Sequence, residues 1–165
     1  MATRLKNLSE HDHSKVPSAA GLRFGIVVSE WNPKVTEALC NGAIKTLIEA
    51  GAKPKHIVRR DVPGSFELTL GARLMLDTYE FDAIICLGCV IQGETRHFEF
   101  ICNAVAQGIT DLNVVYGVPV IFGVLTPDTL QQAVDRSGGK HGNKGDEAAF
   151  TAIRMAHLSS TLHKK

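Results

Sequence analysis

Short apolar runs alternate with amphipathic segments along this sequence, and no other feature constrains the possible fold as strongly. The first run, Phe24 to Val28, is rich in β-branched residues and leads into Asn32-Pro33, a pair typical of a helix start. Apolar residues then recur at three- and four-residue steps until Gly51, a residue that favours helix termination. The pattern predicts one strand followed by one helix.

The same cycle repeats three more times. Strands are expected at 57–62, 83–91 and 119–125. Helices are expected at 66–79, from about 95 onward, from the Thr126-Pro127-Asp128 cap to about 136, and at 146–162. The charged pair Arg59-Arg60 marks the second strand as an edge strand. This alternation predicts an α/β protein, a three-layer α/β/α sandwich with a flavodoxin-like four-stranded parallel sheet and helices on both faces.

Length and charge limit the classes of partner. The 165 residues suit a single domain, expected at 21–165, preceded by a polar arm at 1–20 that has no core of its own. Lys and Arg together number 18 against 17 for Asp and Glu, so the chain lacks the basic excess that nucleic-acid binding requires. The longest apolar stretch, Ala83 to Ile91, is too short to cross a membrane, and the N-terminus has no signal-like apolar region. We expect a cytoplasmic protein that binds neither nucleic acid nor membrane.

The cysteines fit buried structural positions better than a redox or metal site. All of them lie in apolar segments, at Cys40, Cys86, Cys89 and Cys102. Cys86 and Cys89 form a C-x-x-C pair, but inside a predicted strand two residues three apart point to opposite faces. We therefore expect small buried hydrophobic side chains and no metal site.

In a parallel sheet of this kind, ligands bind beyond the carboxyl ends of the strands. Trp31 follows the first strand, and two roles are open to it: stacking on a flat ring, or packing the helix start onto the core. The segment from Val62 to Glu67 follows the second strand, and two roles are open to it as well. It either binds a polar ligand or forms an ordinary turn and helix cap.

The loop after the third strand, Gly93 to His97, carries the clearest chemical signal. A glycine loop that opens a helix presents backbone N–H groups and a positive dipole end to an anion such as phosphate. His97 lies beside that site, and imidazole exchanges protons at physiological pH, so we expect His97 to be the proton-transfer residue. The other histidines are expected to face solvent: His11, His13, His56, His141, His157 and His163.

A second glycine-rich segment, Arg136 to Gly145, carries fixed positive charges. The planar fork of arginine matches phosphate oxygens, which favours a phosphate role for Arg136. A flexible loop with solvated charges is the alternative.

Five segments in a fixed order resemble the lumazine synthase family, and the resemblance covers about residues 21 to 160. The segments are Trp31-Asn32, Val62-Pro-Gly-Ser-Phe-Glu67, Gly88 through Glu99, Gly117 through Thr126, and Arg136 through Gly145. The resemblance implies condensation of 5-amino-6-(D-ribitylamino)uracil with 3,4-dihydroxy-2-butanone 4-phosphate. The products are 6,7-dimethyl-8-ribityllumazine, a riboflavin precursor, together with phosphate and water. No organic or metal cofactor is implied.

The resemblance also implies contacts for the pyrimidine substrate. Trp31 matches the aromatic residue that stacks on the pyrimidine, and Asn32 lies beside it. The positions that hold the ribityl chain and ring are matched by Ser65, Phe66 and Glu67. The strand end that contacts the uracil through backbone groups is matched by Cys89, Val90 and Ile91.

Further matches concern the phosphate and the assembly. The phosphate loop is matched by Glu94 and Thr95, and the proton-transfer position by His97. The positions that an adjacent subunit supplies are matched by Phe122, Arg136 and Lys144, with Arg136 facing the phosphate. Gln92 departs from the pattern, because many members carry Lys or Arg there. The resemblance implies a homopentamer, and some members of the family build pentamers into an icosahedral shell. It also implies that the arm at 1–20 pairs with a neighbour's sheet. Riboflavin synthase is a further partner that the resemblance implies.

Three competing interpretations use the same residues. A non-catalytic member of the family would bind flavin or lumazine at Trp31, although the Ser29 to Pro33 loop is poor in the glycines that flavodoxin-like modules use for phosphate. A container protein would only form shells, but the residues expected for catalysis are intact. A cysteine hydrolase would use Cys89, which has no His-Asp pair placed to activate it.

Overall fold

The computed structural model describes residue 10 and residues 16–162, and its centre is a four-stranded sheet. The strands are β1 (Phe24–Ser29), β2 (Ile57–Val62), β3 (Ala83–Cys89) and β4 (Val120–Leu125). All pairings are parallel and the order is β2-β1-β3-β4, which confirms the predicted sheet and the edge position of β2. Most of the predicted arm at 1–20, with His11 and His13, lies outside the described residues, as does His163.

Helices cover both faces of the sheet, as predicted. They are α1 (Pro33–Glu49), α2 (Leu68–Thr78), α3 (His97–Tyr116), α4 (Leu130–Asp135) and α5 (Lys144–Leu162), with a 3₁₀ turn at Pro54–His56. α1 and α5 pack on what we call the closed face, and α2 and α3 on what we call the open face. No helix in the described part of the chain is long and apolar enough to cross a bilayer.

The central strands are buried on both faces, so their side chains alternate between two cores. Ile26 and Val28 of β1 belong to the closed-face core, and Val27 belongs to the open-face core. The same alternation places Cys89 in the first core and Cys86 in the second. The C-x-x-C residues therefore lie on opposite faces, as the strand period predicts.

Small residues allow α1 and α5 of the closed face to approach closely. A Cβ atom added at Gly145 would lie 1.9 Å from the carbonyl oxygen of Leu39, and one added at Gly42 would lie 2.5 Å from a side-chain oxygen of Asp146. Backbone contact of this kind excludes every larger residue. The two helices form the most extensive helix–helix contact of the fold.

The open face is less completely covered. Its helices leave large apolar side chains in solvent, namely Leu70, Leu74, Phe100, Val114 and Val115. A groove of about 500 Å³ runs between α2 and α3, and Leu70 and Val115 are among the residues that line it. Several large apolar side chains are therefore exposed together on this face.

Two local predictions after β4 are wrong. The fourth helix begins at Leu130, and its cap is Thr129, whose hydroxyl accepts a hydrogen bond from the Gln132 N–H at 3.2 Å. Residues 126 and 127 are not helical, and the carbonyl oxygens of Leu125 and Pro127 accept backbone hydrogen bonds from the segment that follows β3. The glycine-rich segment after α4 forms a short hairpin, Ser137–Gly139 (β5) and Gly142–Asn143 (β6), where a loop was expected.

Of the six histidines predicted to face solvent, the structure describes His56, His141 and His157. All three are half-buried, so their side chains face solvent only in part. The Nε2 atom of His157 lies 2.8 Å from the Ser18 carbonyl oxygen, so this ring fixes the chain before β1 against α5.

Candidate active site

A cleft of about 670 Å³ opens at the carboxyl ends of β1, β2 and β3. It is the location that parallel sheets of this topology use for ligands. Most of the predicted site residues line it: Trp31, Asn32, Ser65, Phe66, Glu67, Cys89, Val90, Ile91, Thr95 and His97. Segments far apart in sequence thus meet at one edge of the sheet.

Trp31 forms an exposed aromatic wall of the cleft. Its side chain is 71% exposed, and its backbone N–H donates to Ser29 Oγ at 3.3 Å. A residue that packed the helix start onto the core would be buried, so the exposure favours the stacking role. Phe66, 55% exposed, lines the same cleft.

Asn32 occupies the predicted helix-capping position without capping the helix through its side chain. Its backbone is left-handed, with φ 61° and ψ 54°, and no side-chain cap hydrogen bond is formed. The Asn32 Nδ2 atom instead donates to the Cys89 carbonyl oxygen at 3.0 Å. The side chain therefore joins the loop after β1 to the end of β3.

The turn after β2 places a hydroxyl and a carboxylate at the cleft. Ser65 is only 6% exposed, and its hydroxyl has no hydrogen-bond partner. It lies against Gly88 of β3, where an added Cβ atom would be 2.7 Å from Ser65 Oγ. Glu67 is half-buried just before α2 and lines the cleft. An unpartnered buried hydroxyl costs free energy, and a ligand that accepts or donates a hydrogen bond would recover it.

The end of β3 contributes backbone groups and the thiol of Cys89 to the cleft. Burial raises the pKa of Cys89 to about 11, which leaves almost no thiolate near neutral pH. This finding argues against a cysteine nucleophile. The Val90 N–H donates to the Leu125 carbonyl oxygen at 2.8 Å, and the Cys89 carbonyl oxygen accepts from Asn32. These two backbone groups are engaged within the protein.

The loop before α3 ends at His97, the first residue of the helix, and His97 is exposed. The His97 N–H approaches Thr95 Oγ1 at 3.4 Å. Arg96 pairs with Glu99 at 3.2 Å, and Gln92 Nε2 donates to the Gly93 carbonyl oxygen at 2.9 Å. Glu94 is exposed on the same loop and is not among the residues that line the cleft.

The cleft residues of the described chain include neither Lys nor Arg. Among the described cleft residues, the N-terminal end of α3 with its partial positive charge is the part suited to an anion.

The residues predicted to come from an adjacent subunit do not line the cleft of their own protomer: Phe122, Arg136 and Lys144. Phe122 is 36% exposed on edge strand β4. Arg136 and Lys144 lie together at the base of the hairpin, where the Lys144 N–H donates to the Arg136 carbonyl oxygen at 2.8 Å. The Arg136 Nη1 atom donates to the Gln132 carbonyl oxygen at 3.1 Å, and Lys144 Nζ lies 2.6 Å from a Glu147 carboxylate oxygen.

Phe98 and Ile101 also line the cleft, and the sequence analysis did not predict them as site residues. Both lie within the first two turns of the helix that begins at His97. Their closeness in sequence to His97 was the available signal.

A flavodoxin-like sheet with an aromatic-walled cleft and a histidine at its rim defines an α/β enzyme that acts on a small molecule. The family model for 6,7-dimethyl-8-ribityllumazine synthase matches residues 21–160. The chain belongs to the 6,7-dimethyl-8-ribityllumazine synthase family, as its motifs indicated.

Curated relatives match over nearly the whole chain. The 6,7-dimethyl-8-ribityllumazine synthase of Parabacteroides distasonis is 56% identical over 160 residues, which cover 97% of this chain and 100% of the relative. That of Flavobacterium johnsoniae is 58% identical over 158 residues, with 96% and 83% covered. That of Cytophaga hutchinsonii is 56% identical over 162 residues, with 98% and 100% covered.

Proposed function

We propose that the chain catalyses the condensation of 5-amino-6-(D-ribitylamino)uracil with 3,4-dihydroxy-2-butanone 4-phosphate to 6,7-dimethyl-8-ribityllumazine. The observation that carries the proposal is the single cleft in which the loops after β1, β2 and β3 converge. Its aromatic wall suits a flat pyrimidine, and its polar turn suits a ribityl chain. The family membership supports the same reaction.

The chemistry requires orientation and proton transfer. The amine attacks the ketone to form an imine with loss of one water, and phosphate then departs by elimination. The resulting enol tautomerises to a ketone, and the ribitylamino nitrogen attacks this ketone and closes the ring with loss of a second water. Holding two reactants side by side supplies much of the acceleration, and a histidine at the rim exchanges the protons. In this proposal Trp31 and Phe66 hold the ring, Ser65 and Glu67 hold the ribityl chain, and His97 transfers protons.

The phosphate would lie at the N-terminal end of α3. Thr95 and the backbone N–H groups there are suited to its oxygens, with Glu94 on the same loop, and Gln92 brings no charge. The cleft residues that the structure describes include neither Lys nor Arg, so a cation from elsewhere would strengthen phosphate binding, and the proposed source is Arg136 and Lys144 of an adjacent subunit.

The proposed assembly is a homopentamer in which the open face forms part of the subunit contact and Phe122 reaches the neighbouring cleft. The exposed apolar residues of α2 and α3 support it. A single domain at 21–165 also belongs to the proposal. The icosahedral shell, the ordering of the arm at 1–20 on a neighbour, the partnership with riboflavin synthase and the cytoplasmic location stay predictions from the sequence.

A turnover assay with both substrates, followed by lumazine fluorescence, tests the function. Wild-type protein should form product only when both substrates are present, and Arg136→Ala should raise the KM of the butanone phosphate because a phosphate contact is lost. Lys140→Ala is the matched control, since Lys140 belongs to the same hairpin segment but pairs with Asp135 at 3.2 Å. A folded, assembled wild type that forms no product would contradict the proposal and leave a non-catalytic flavin- or lumazine-binding protein or a shell-forming protein.

A further inference from the structure

The backbone of Asn32 is unusual for its residue type. Among the residues that the structure describes, Asn32 is the one non-glycine residue with a positive φ, at 61°. The left-handed region is sterically unfavourable for side chains, although asparagine tolerates it better than most residues. A conformation of this kind persists where surrounding contacts hold it.

Two sets of contacts hold the loop that contains Asn32. On the β2 side, the backbone N–H of Glu30 donates to the Val62 carbonyl oxygen at 2.8 Å. On the β3 side, the Asn32 Nδ2 atom donates to the Cys89 carbonyl oxygen at 3.0 Å, across 57 residues of sequence. The Asn32 carbonyl oxygen meanwhile accepts from the Val35 N–H at 2.9 Å and starts α1. The loop is thus fixed to both neighbouring strands and to its own helix.

Trp31 lies between these two attachment points. Its side chain is exposed, and both Trp31 and the 89–91 segment line the cleft. If the Asn32 side chain were absent, the loop would keep its attachment to β2 but lose the side-chain link to β3. The distance between the indole and the β3 end would then vary.

We propose that Asn32 is a positioning residue whose side-chain amide sets the spacing between Trp31 and the end of β3, and thereby the width of the slot that receives a flat heterocycle. The role is distinct from a direct substrate contact, because it rests on the one Nδ2 N–H that donates to the Cys89 carbonyl oxygen within the protein. That the heterocycle is the pyrimidine substrate rests on the proposed function. The spacing itself is a property of the free protein.

The first test needs no substrate, because Trp31 is the sole tryptophan of the chain. In Asn32→Gly the left-handed backbone is retained without strain and the side chain that carries the amide is removed, although glycine also frees the backbone. In Asn32→Asp the shape is retained, but a carboxylate replaces the donor at neutral pH. Both variants should show lower tryptophan fluorescence anisotropy and stronger acrylamide quenching than wild type.

Asn113→Asp is the matched control. The Asn113 amide also donates to a strand carbonyl oxygen, that of Val120 at 2.9 Å, but it lies at the far end of α3. This variant should lose stability without changing the anisotropy of Trp31. Unchanged anisotropy and quenching in both folded Asn32 variants would overturn the proposal.

The second test separates the proposal from the proposed function. In turnover assays, the KM of the pyrimidine should rise roughly two- to tenfold in Asn32→Gly, as expected for one net hydrogen bond, while the KM of the butanone phosphate stays unchanged. If wild type shows no turnover but the anisotropy still falls in the variants, the positioning role stands and the proposed function fails. If turnover is normal and the two KM values rise together, the selective role of Asn32 is wrong.

Discussion

α1 and α5 pack on one face of the sheet with their backbones in contact, whereas α2 and α3 cover the other face and leave large apolar side chains in solvent. The helices of the closed face also expose apolar side chains, among them Ile48 and Leu158, but where α1 and α5 meet, the contact is filled by residues of their own chain. The exposed side chains of the open face are large and apolar, as in the interior of a protein or the core of an interface. We therefore expect the closed face to stabilise the protomer, and the open face is the contact that we propose for the assembly.

The largest expected effect is loss of the folded state when the closed face is overfilled. In Gly145→Ala the new Cβ atom would lie 1.9 Å from the Leu39 carbonyl oxygen, and backbone cannot move away as a flexible side chain can. We expect a loss of about 3 kcal/mol or more, measured by urea unfolding. Gly93→Ala is the control, because nothing lies within 4 Å of its added Cβ atom and its stability should hardly change. Equal stability of the two variants would contradict close contact between α1 and α5.

A charge on the open face should separate the subunits and leave the protomer folded. Val115 is 75% exposed on α3, so Val115→Asp costs the protomer little. In the assembly, an unpaired buried carboxylate is expected to cost about 3 kcal/mol or more. Light scattering should therefore show smaller species with unchanged circular dichroism. Leu158→Asp places the same charge on α5, where Leu158 is 49% exposed, and should stay assembled. If Val115→Asp keeps the wild-type mass, the open face is not the contact.

Replacing His97, the first residue of α3, should affect the rate more than binding. In His97→Ala the kcat is expected to fall by about 10²-fold, because proton transfer is lost while the orientation of the substrates remains. Steady-state kinetics with both substrates measures this change. His157→Ala removes a histidine from α5 that contacts Ser18, and its kcat should stay near wild type. Complete loss of turnover in His97→Ala with unchanged substrate binding would show that orientation contributes little.

Ser29 and Ser65 are both buried, but only the Ser29 hydroxyl has a hydrogen-bond partner within the protein. Replacing each by alanine therefore separates a structural role from a ligand-binding role. Ser29 accepts the Trp31 N–H, so Ser29→Ala should lose about 1 kcal/mol of stability. The Ser65 hydroxyl has no partner, so Ser65→Ala should keep or slightly raise the thermal midpoint. Its KM for the pyrimidine should nevertheless rise roughly twofold or more. Lower stability with unchanged KM would assign Ser65 to the structure alone.

The smallest expected effect concerns the ion pairs that fix edge strand β2 to α1. The Arg59 guanidinium hydrogen-bonds Glu37 and lowers the pKa of its carboxyl below the ordinary value of 4.5. The stabilisation is therefore present above that value and is lost as the pH falls through the lowered pKa. Because both side chains are partly exposed, Glu37→Gln should cost about 0.5 kcal/mol at pH 7 and nothing at pH 2. Glu49→Gln, whose partner Lys45 is largely exposed, should show a smaller pH dependence in the same unfolding series.

The sheet and its helices were predictable because apolar periodicity reports burial directly, and β1 with α1 matches the predicted bounds closely. The start of α4 was not predictable from Thr126-Pro127, since the Pro127 carbonyl oxygen accepts a backbone hydrogen bond from Gln92, far away in sequence. The grouping of cleft residues followed from the rule for parallel sheets. The link from Asn32 to Cys89 spans 57 residues and leaves no local signal, because asparagine before proline is equally typical of a cap.

The contact between Leu39 and Gly145 has a consequence for how the chain folds during its synthesis. α1 is complete once residue 49 has emerged, but α5, which covers its apolar stripe, begins only at Lys144. The strand pairs β1 with β2 and β1 with β3 can form much earlier. For most of translation the growing chain therefore exposes the surface that ends up most tightly packed, and this is the interval in which a chaperone would have the most to bind.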